Sequence, residues 1–93
     1  MRTALDEGQF RVAYVTFSEG VRNKFHIHNT DQVLIVTEGK GLVVTESEQV
    51  ELDKGDVVFA PAGEKHWHGA APGSNMTHIT ITGGGGKIEQ LEP

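Results

Sequence analysis

His26-Ile27-His28-Asn29-Thr30-Asp31-Gln32-Val33-Leu34-Ile35-Val36 carries two signals at once. Val33 to Val36 are all aliphatic and mostly β-branched, the composition of a strand. Ahead of them stand two histidines one residue apart. In an extended chain successive side chains point to opposite faces, so His26 and His28 share a face, about 6 to 7 Å apart along the strand. Asn29-Thr30-Asp31 is turn chemistry between the two segments. A second pair, His66 and His68, flanks Trp67, so four of the chain's five histidines fall in two His-x-His pairs. Two such pairs facing one another would make a metal site.

The rest of the chain reads the same way. Candidate strands are Phe10 to Ser18, Phe25 to Asn29, Gln32 to Glu38, Gly41 to Thr45, Gln49 to Leu52, Asp56 to Ala60, His66 to Ala70, Met76 to Thr82 and a last short one from Lys87 to Leu91. They are rich in Val, Ile, Thr and Phe, and Gly, Pro, Asn or Asp separate most of them. No stretch keeps an apolar period of 3.6 residues, so little or no helix is expected. Short strands at regular spacing point to a sandwich or barrel, and thus to an all-β fold. Residues 1–93 read as a single domain, with Gly83 to Gly86 as a flexible joint before the last strand.

Composition narrows the function. A chain of 93 residues supports one modest core, so a metal or a second copy would add useful stability. Its formal charge of −5, with basic residues scattered, disfavours nucleic acid and anionic membrane. No apolar run approaches the roughly 20 residues needed to span a bilayer. The start, Met1-Arg2-Thr3-Ala4-Leu5-Asp6-Glu7-Gly8, lacks the apolar stretch of a secretory leader, and no cysteine is present. A cytoplasmic protein is expected.

The spacing of the histidines is more specific than their number. Five residues separate Gly20 from His26, one His26 from His28, three His28 from Gln32 and six Gln32 from Gly39. After fifteen more comes Gly55, then five residues, Pro61, one residue, Gly63, two residues and His66. This resembles the paired signature of the cupin superfamily, G-x5-H-x-H-x3/4-E-x6-G followed by G-x5-P-x-G-x2-H-x3-N. The match runs over 20–39 and 55–70, with every glycine, proline and histidine in register. Gln32 stands for the glutamate and Ala70 for the asparagine. The resemblance implies a jelly-roll barrel, the double-stranded β-helix, and a metal held by His26, His28, Gln32 and His66. Imidazole suits Zn, Cu, Fe and Ni, and imidazoles with oxygen also suit manganese. With a neutral Gln32 the full +2 charge stays in the site, giving a stronger Lewis acid that binds less tightly.

Strand parity identifies the pocket. If Gln32 faces inward, so do Leu34 and Val36, while Val33 and Ile35 face out. If His66 faces inward, so does His68, and Trp67 points away. His68 lies outside the cupin ligand pattern, as a fifth ligand, a general base or a hydrogen-bonded bystander. His78 shares a face with Thr80 and Thr82, and becomes a second candidate base if that face looks inward. Apolar residues on outer faces predict a homodimer, unless the segment from Leu5 to Phe10 packs over them.

Within the superfamily, Gly55-Asp56-Val57-Val58-Phe59-Ala60-Pro61-Ala62-Gly63-Glu64-Lys65-His66-Trp67-His68-Gly69-Ala70-Ala71-Pro72, continuing to Met76-Thr77-His78 and together with Gln32, is similar to small bacterial cupins that include the manganese-dependent hydroxynitrile lyases, often placed beside carboxymuconolactone decarboxylases. Thr82 stands where the lyase-like pattern has a glutamine. The resemblance implies manganese at His26, His28, Gln32 and His66, with His68 and His78 lining the pocket as acid/base residues for cleavage of a small cyanohydrin. An iron-dependent dioxygenase and a non-catalytic small-ligand sensor are the alternatives.

Overall fold

Burial alternates along the chain and sorts its strands into inner and outer faces. Gln32, Leu34 and Val36 are buried while Val33, Ile35 and Thr37 are only partly covered, the two-residue period of a strand with one face on a core. The computed structural model describes residues 10–83 and 88–92. They form β1 (Phe10–Phe17), β2 (His26–His28), β3 (Gln32–Thr45), β4 (Gln49–Asp53), β5 (Val57–Ala60), β6 (His66–Ala70), β7 (Met76–Gly83) and β8 (Ile88–Gln90). No described residue is helical. Residues 1–9 and 84–87 lie outside the described residues, and with them most of the expected glycine joint and of the Leu5 to Phe10 segment.

Every pairing is antiparallel. One sheet runs β1-β7-β3-β5 and the other β4-β3-β6-β2-β8. β3 belongs to both, its first half pairing with β5 and β7 and its second with β4 and β6. The sequence predicts two strands here, broken around Gly39, but the chain runs through as one. Its register slips between Val36 and Glu38, and the bulge adds a residue without ending the hydrogen bonding. The buried positions change from even to odd, so that Gly41 and Val43 face inward beyond it. Gly39 makes this possible with φ of 75°, and a Cβ there would run into the Asn75 carbonyl. The two sheets curl toward each other as an all-β jelly roll.

The interior is divided. At one end Val36, Val43, Leu52, Ala70 and Met76 pack together with Phe17 and Val58, each fully buried aliphatic side chain contributing about 1.5–3 kcal/mol. The remainder is polar: beside seven buried apolar residues the described chain buries six polar ones, namely Gln32 and all five histidines. Burying polar groups costs free energy unless each finds a partner, so packing alone does not account for them.

The outer face of the first sheet is apolar. Val12, Ile81, Val33 and Phe59 form one row across β1, β7, β3 and β5, and Tyr14, Ile79, Ile35 and Val57 form the next. Tyr14, Val57 and Phe59 are exposed.

Candidate metal centre

β2 is only three residues long, and its neighbours hold it. His26 stands opposite His66 of β6, and on the other side His26, Ile27 and His28 pair with Gln90, Glu89 and Ile88 of β8. β8 is anchored in turn: Leu91 N–H donates to the Phe25 carbonyl at 2.8 Å, the Glu92 carboxylate accepts from Phe25 N–H at 2.6 Å, and it pairs with Arg22 at 2.9 Å. The turn after β2 is tied to the turn before β6. Asp31 Oδ1 accepts from Ala62 N–H at 2.9 Å, and Gly63 N–H donates to the His28 carbonyl at 2.9 Å. This is the work of Asn29-Thr30-Asp31 and Pro61-Ala62-Gly63: they join the two motifs so that His26, His28 and His66 meet.

The rings of His26 and His28 are 4.8 Å apart between centroids, those of His26 and His66 4.6 Å, and those of His28 and His66 5.5 Å. Gln32 Oε1 lies 3.1 Å from His66 Nε2. All four residues expected from the sequence to hold a metal therefore sit together. His26, His66 and His68 also offer ring nitrogens that lie within 4.8 Å of one another, so His68 stands within ligating reach as well.

The donor chemistry fits a divalent cation. His26 Nδ1–H donates to the Lys24 carbonyl at 2.6 Å, which leaves the lone pair on Nε2, the second-shell arrangement typical of metal-binding imidazoles. His28 Nε2 is buried without a hydrogen-bond partner. The His66–Gln32 bond needs a proton on Nε2, and both atoms become donors when a cation takes its place. Burial holds the His28 pKa below the ordinary value, with repulsion from His26 adding to it. Burial, then repulsion from His26 and His28, brings His66 down to about 4 against the opposing Glu64 carbonyl. His28 and His66 are therefore neutral at pH 7, as ligation requires.

His68 is held differently. Asn23 Oδ1 accepts from the His68 backbone N–H at 2.9 Å, which fixes the amide so that its Nδ2 donates to His68 Nε2 at 3.2 Å. The ring proton must then be on Nδ1, and the basic lone pair is on Nε2. Burial, followed by repulsion from His78 and the other histidines, pushes the His68 pKa well down. His78 is fully enclosed: its ring lies 4.9 Å from that of His68 and 5.8 Å from that of Phe17, and its Nδ1 is 3.0 Å from Thr80 Oγ1. Burial lowers its pKa too, against the Ile79 backbone. The resemblance implies that His78 lines the pocket; here the cavity wall is formed by His68, Phe17 and Thr80, with His78 behind them.

The cavity has a volume of about 430 Å³. His26, His28, Gln32 and His68 line its base, with Thr82 beside them. Sequence reading missed Asn23, Arg11 and the β8 wall of Ile88 and Gln90. Arg11 alone had a signal, sharing strand parity with Val15 and Phe17, which also line the cavity.

Comparison with known proteins agrees with this fold. Residues 13–83 match the family described as Cupin domain. An (R)-mandelonitrile lyase from Granulicella tundricola is 51% identical over 70 residues, covering 74% of this chain and 53% of that protein. An acireductone dioxygenase from Parasynechococcus marenigrum is 36% identical over 61 residues, covering 58% of this chain and 33% of the other. The chain thus spans between a third and about half of the length of these relatives. The crystal structure of a cupin-like protein from Thermotoga maritima matches with a TM-score of 0.87 at 40% identity, over 91% of this chain and 66% of the other. The polyketide cyclase RemF from Streptomyces resistomycificus shares the fold at 19% identity, with a TM-score of 0.81 over 91% of this chain and 62% of the other.

Proposed function

This chain belongs to the cupin family, and from that premise we propose that it is a metal-dependent enzyme acting on a small hydroxylated or carbonyl compound. In its most specific form the reading is a hydroxynitrile-lyase-like carbon–carbon lyase. The observation that carries it is a cluster of five buried histidines with Gln32, of which His26, His28, Gln32 and His68 line one cavity, while ring nitrogens of His26, His66 and His68 lie within 4.8 Å of one another. His26, His28, Gln32 and His66 are the proposed ligands, and manganese the proposed ion, ahead of iron, zinc, nickel and copper. When bound, such an ion supplies Lewis acidity toward a hydroxyl or carbonyl oxygen.

The side chains supply the rest. His68 Nε2 takes the substrate hydroxyl proton once the hydroxyl displaces the Asn23 amide. The electrons of the O–H bond become the carbonyl bond of an aldehyde, and those of the breaking C–C bond leave with cyanide, which takes up a proton. His78 acts through His68, closing its far side and disfavouring stored charge, so it is a positioning residue. The assembly in this reading is a homodimer closed over the apolar face of β1, β7, β3 and β5. Similarity to acireductone dioxygenases favours iron-dependent oxygen chemistry as the second reading.

Elemental analysis of protein purified without added metal, beside His28→Ala, tests the proposal together with cyanide release from (R)-mandelonitrile. Stoichiometric manganese lost in the variant, with metal-dependent cyanide release, is the expected result. Iron with oxygen uptake on an enediol favours the dioxygenase. A wild type without metal sinks both, and ligand binding without turnover leaves a sensor.

A further inference from the structure

β6 has β3 along one edge, and its other edge is shared. His26 pairs with His66, and further along Val21-Arg22-Asn23 takes over, with Ala70 N–H donating to the Val21 carbonyl at 2.9 Å and Asn23 N–H to the His68 carbonyl at 3.0 Å. Gly69 admits this stretch. It stands opposite Arg22, and a Cβ on it would lie 2.5 Å from Arg22 Cα and from the Val21 carbonyl oxygen. Asn23 is thereby set beside His68 and bonds it twice more: Oδ1 accepts from the His68 backbone N–H at 2.9 Å, and Nδ2 meets His68 Nε2 at 3.2 Å. The first of these bonds allows only one orientation of the amide, so Nδ2 is the donor in the second.

This clamp bears on both nitrogens of a ring that reaches the metal site. The ligating atoms offered by His26, His66 and His68 lie within 4.8 Å of one another, so distance alone would admit His68 to the ligand set. A cation needs a ring nitrogen whose lone pair is free. With Asn23 in place the Nε2 lone pair is engaged, and Nδ1, buried with no partner of its own, carries the proton. From these contacts we propose that Asn23 is a positioning residue that withholds His68 from the metal and keeps it for a ligand in the cavity that both residues line. The same chain thus holds three imidazoles as ligands and a fourth beside them as a base. For the ion this rests on the metal-dependent reading above; the position of the ring proton does not.

Nitrogen-15 NMR of the histidine rings is the test, because protonated, free and zinc-bound nitrogens have distinct shifts; the His68 signals are assigned by their loss in His68→Gln. Metal-free wild type at neutral pH is expected to hold His68 as the Nδ1–H form. Asn23→Asp keeps the bond to the His68 backbone but offers Nε2 an acceptor, so the proton should move to Nε2. A purely structural Asn23 would leave it where it was. Asn23→Leu fills similar space without either side-chain bond, so the zinc-loaded protein should pass from three bound imidazoles, those of His26, His28 and His66, to four with His68 added. An Nε2–H ring in the wild type, a proton that stays on Nδ1 in Asn23→Asp, His68 bound to zinc in the wild type, or His68 unbound in folded Asn23→Leu overturns the proposal. Should Asn23→Leu not fold, the wild type and Asn23→Asp decide it. Zinc bound by none of these proteins, with the proton moving as expected, would sink the metal-dependent reading and the withholding with it, leaving only the clamp on the ring.

Discussion

Asn23 separates the duties of two buried imidazoles that otherwise look alike. His28 leaves Nε2 buried and unpartnered, whereas the Asn23 amide already engages Nε2 of His68. His28→Ala is therefore expected to lose at least tenfold in metal affinity, while His68→Ala keeps the metal and loses proton transfer, lowering turnover 10²–10⁴-fold. Metal titration and turnover of the two variants decide this; metal lost from His68→Ala and kept by His28→Ala would exchange their roles. The same burial sets a pH dependence. His66 has its pKa lowered to about 4, so below about 6.5 the unfolded chain takes up a proton that the native state rejects. Stability conferred by the neutral ring is present above that pH and is lost as the pH falls from about 6.5 toward 4. Metal-free protein should lose about 2 kcal/mol between pH 7 and pH 5 from His66 alone. His28, His68 and His78 shift in the same direction. Urea midpoints of the metal-free protein at the two pH values measure the loss, and equal midpoints would contradict it.

Gly39 and Gly20 both have positive φ, at 75° and 70°, but they sit in different surroundings. A Cβ at Gly20 meets nothing within 4 Å, while one at Gly39 collides with the Asn75 backbone where β3 passes β7. Gly20→Ala should cost about 1–2 kcal/mol, the strain of a left-handed L-residue. Gly39→Ala should cost at least about 3 kcal/mol, because β3 or the loop before β7 must also move. Thermal unfolding of the two variants separates these cases, and equal losses would mean that the bulge yields easily. The contrast shows what was legible. Turn glycines, strand alternation and the inward set of Gln32, Leu34 and Val36 follow from local chemistry, so the chain could be read for them. The continuity of β3 could not, because a bulge holding both sheets together is fixed by partners on β6 and β7. Asn23 was hidden for the same reason: its role exists only when β6 lies beside it. The tie from β8 to β2 joins residues 60 to 64 positions apart, with no pattern in either segment to announce it.

Two copies of a chain with formal charge −5 repel each other, so the face over which they can meet is one that carries no charge. The outward positions of β1, β7, β3 and β5 are Phe10, Val12, Tyr14, Thr16, Thr77, Ile79, Ile81, Gly83, Val33, Ile35, Thr37, Val57 and Phe59, all uncharged. A closed two-fold dimer suits such a surface, because each patch meets an identical patch and none is left in water. It would also brace the sheet that presents Arg11, Thr80 and Thr82 to the cavity from its other side. Wild-type protein should therefore run in size-exclusion chromatography with light scattering at twice its 10.1 kDa. Phe59 and Tyr14 lie toward opposite sides of the face and are 61% and 74% exposed, so Phe59→Lys and Tyr14→Glu leave the core untouched. Each should shift the protein toward monomer while circular dichroism stays that of a β fold. A dimer that persists through both substitutions would place the contact elsewhere, and a monomeric wild type would overturn the dimer.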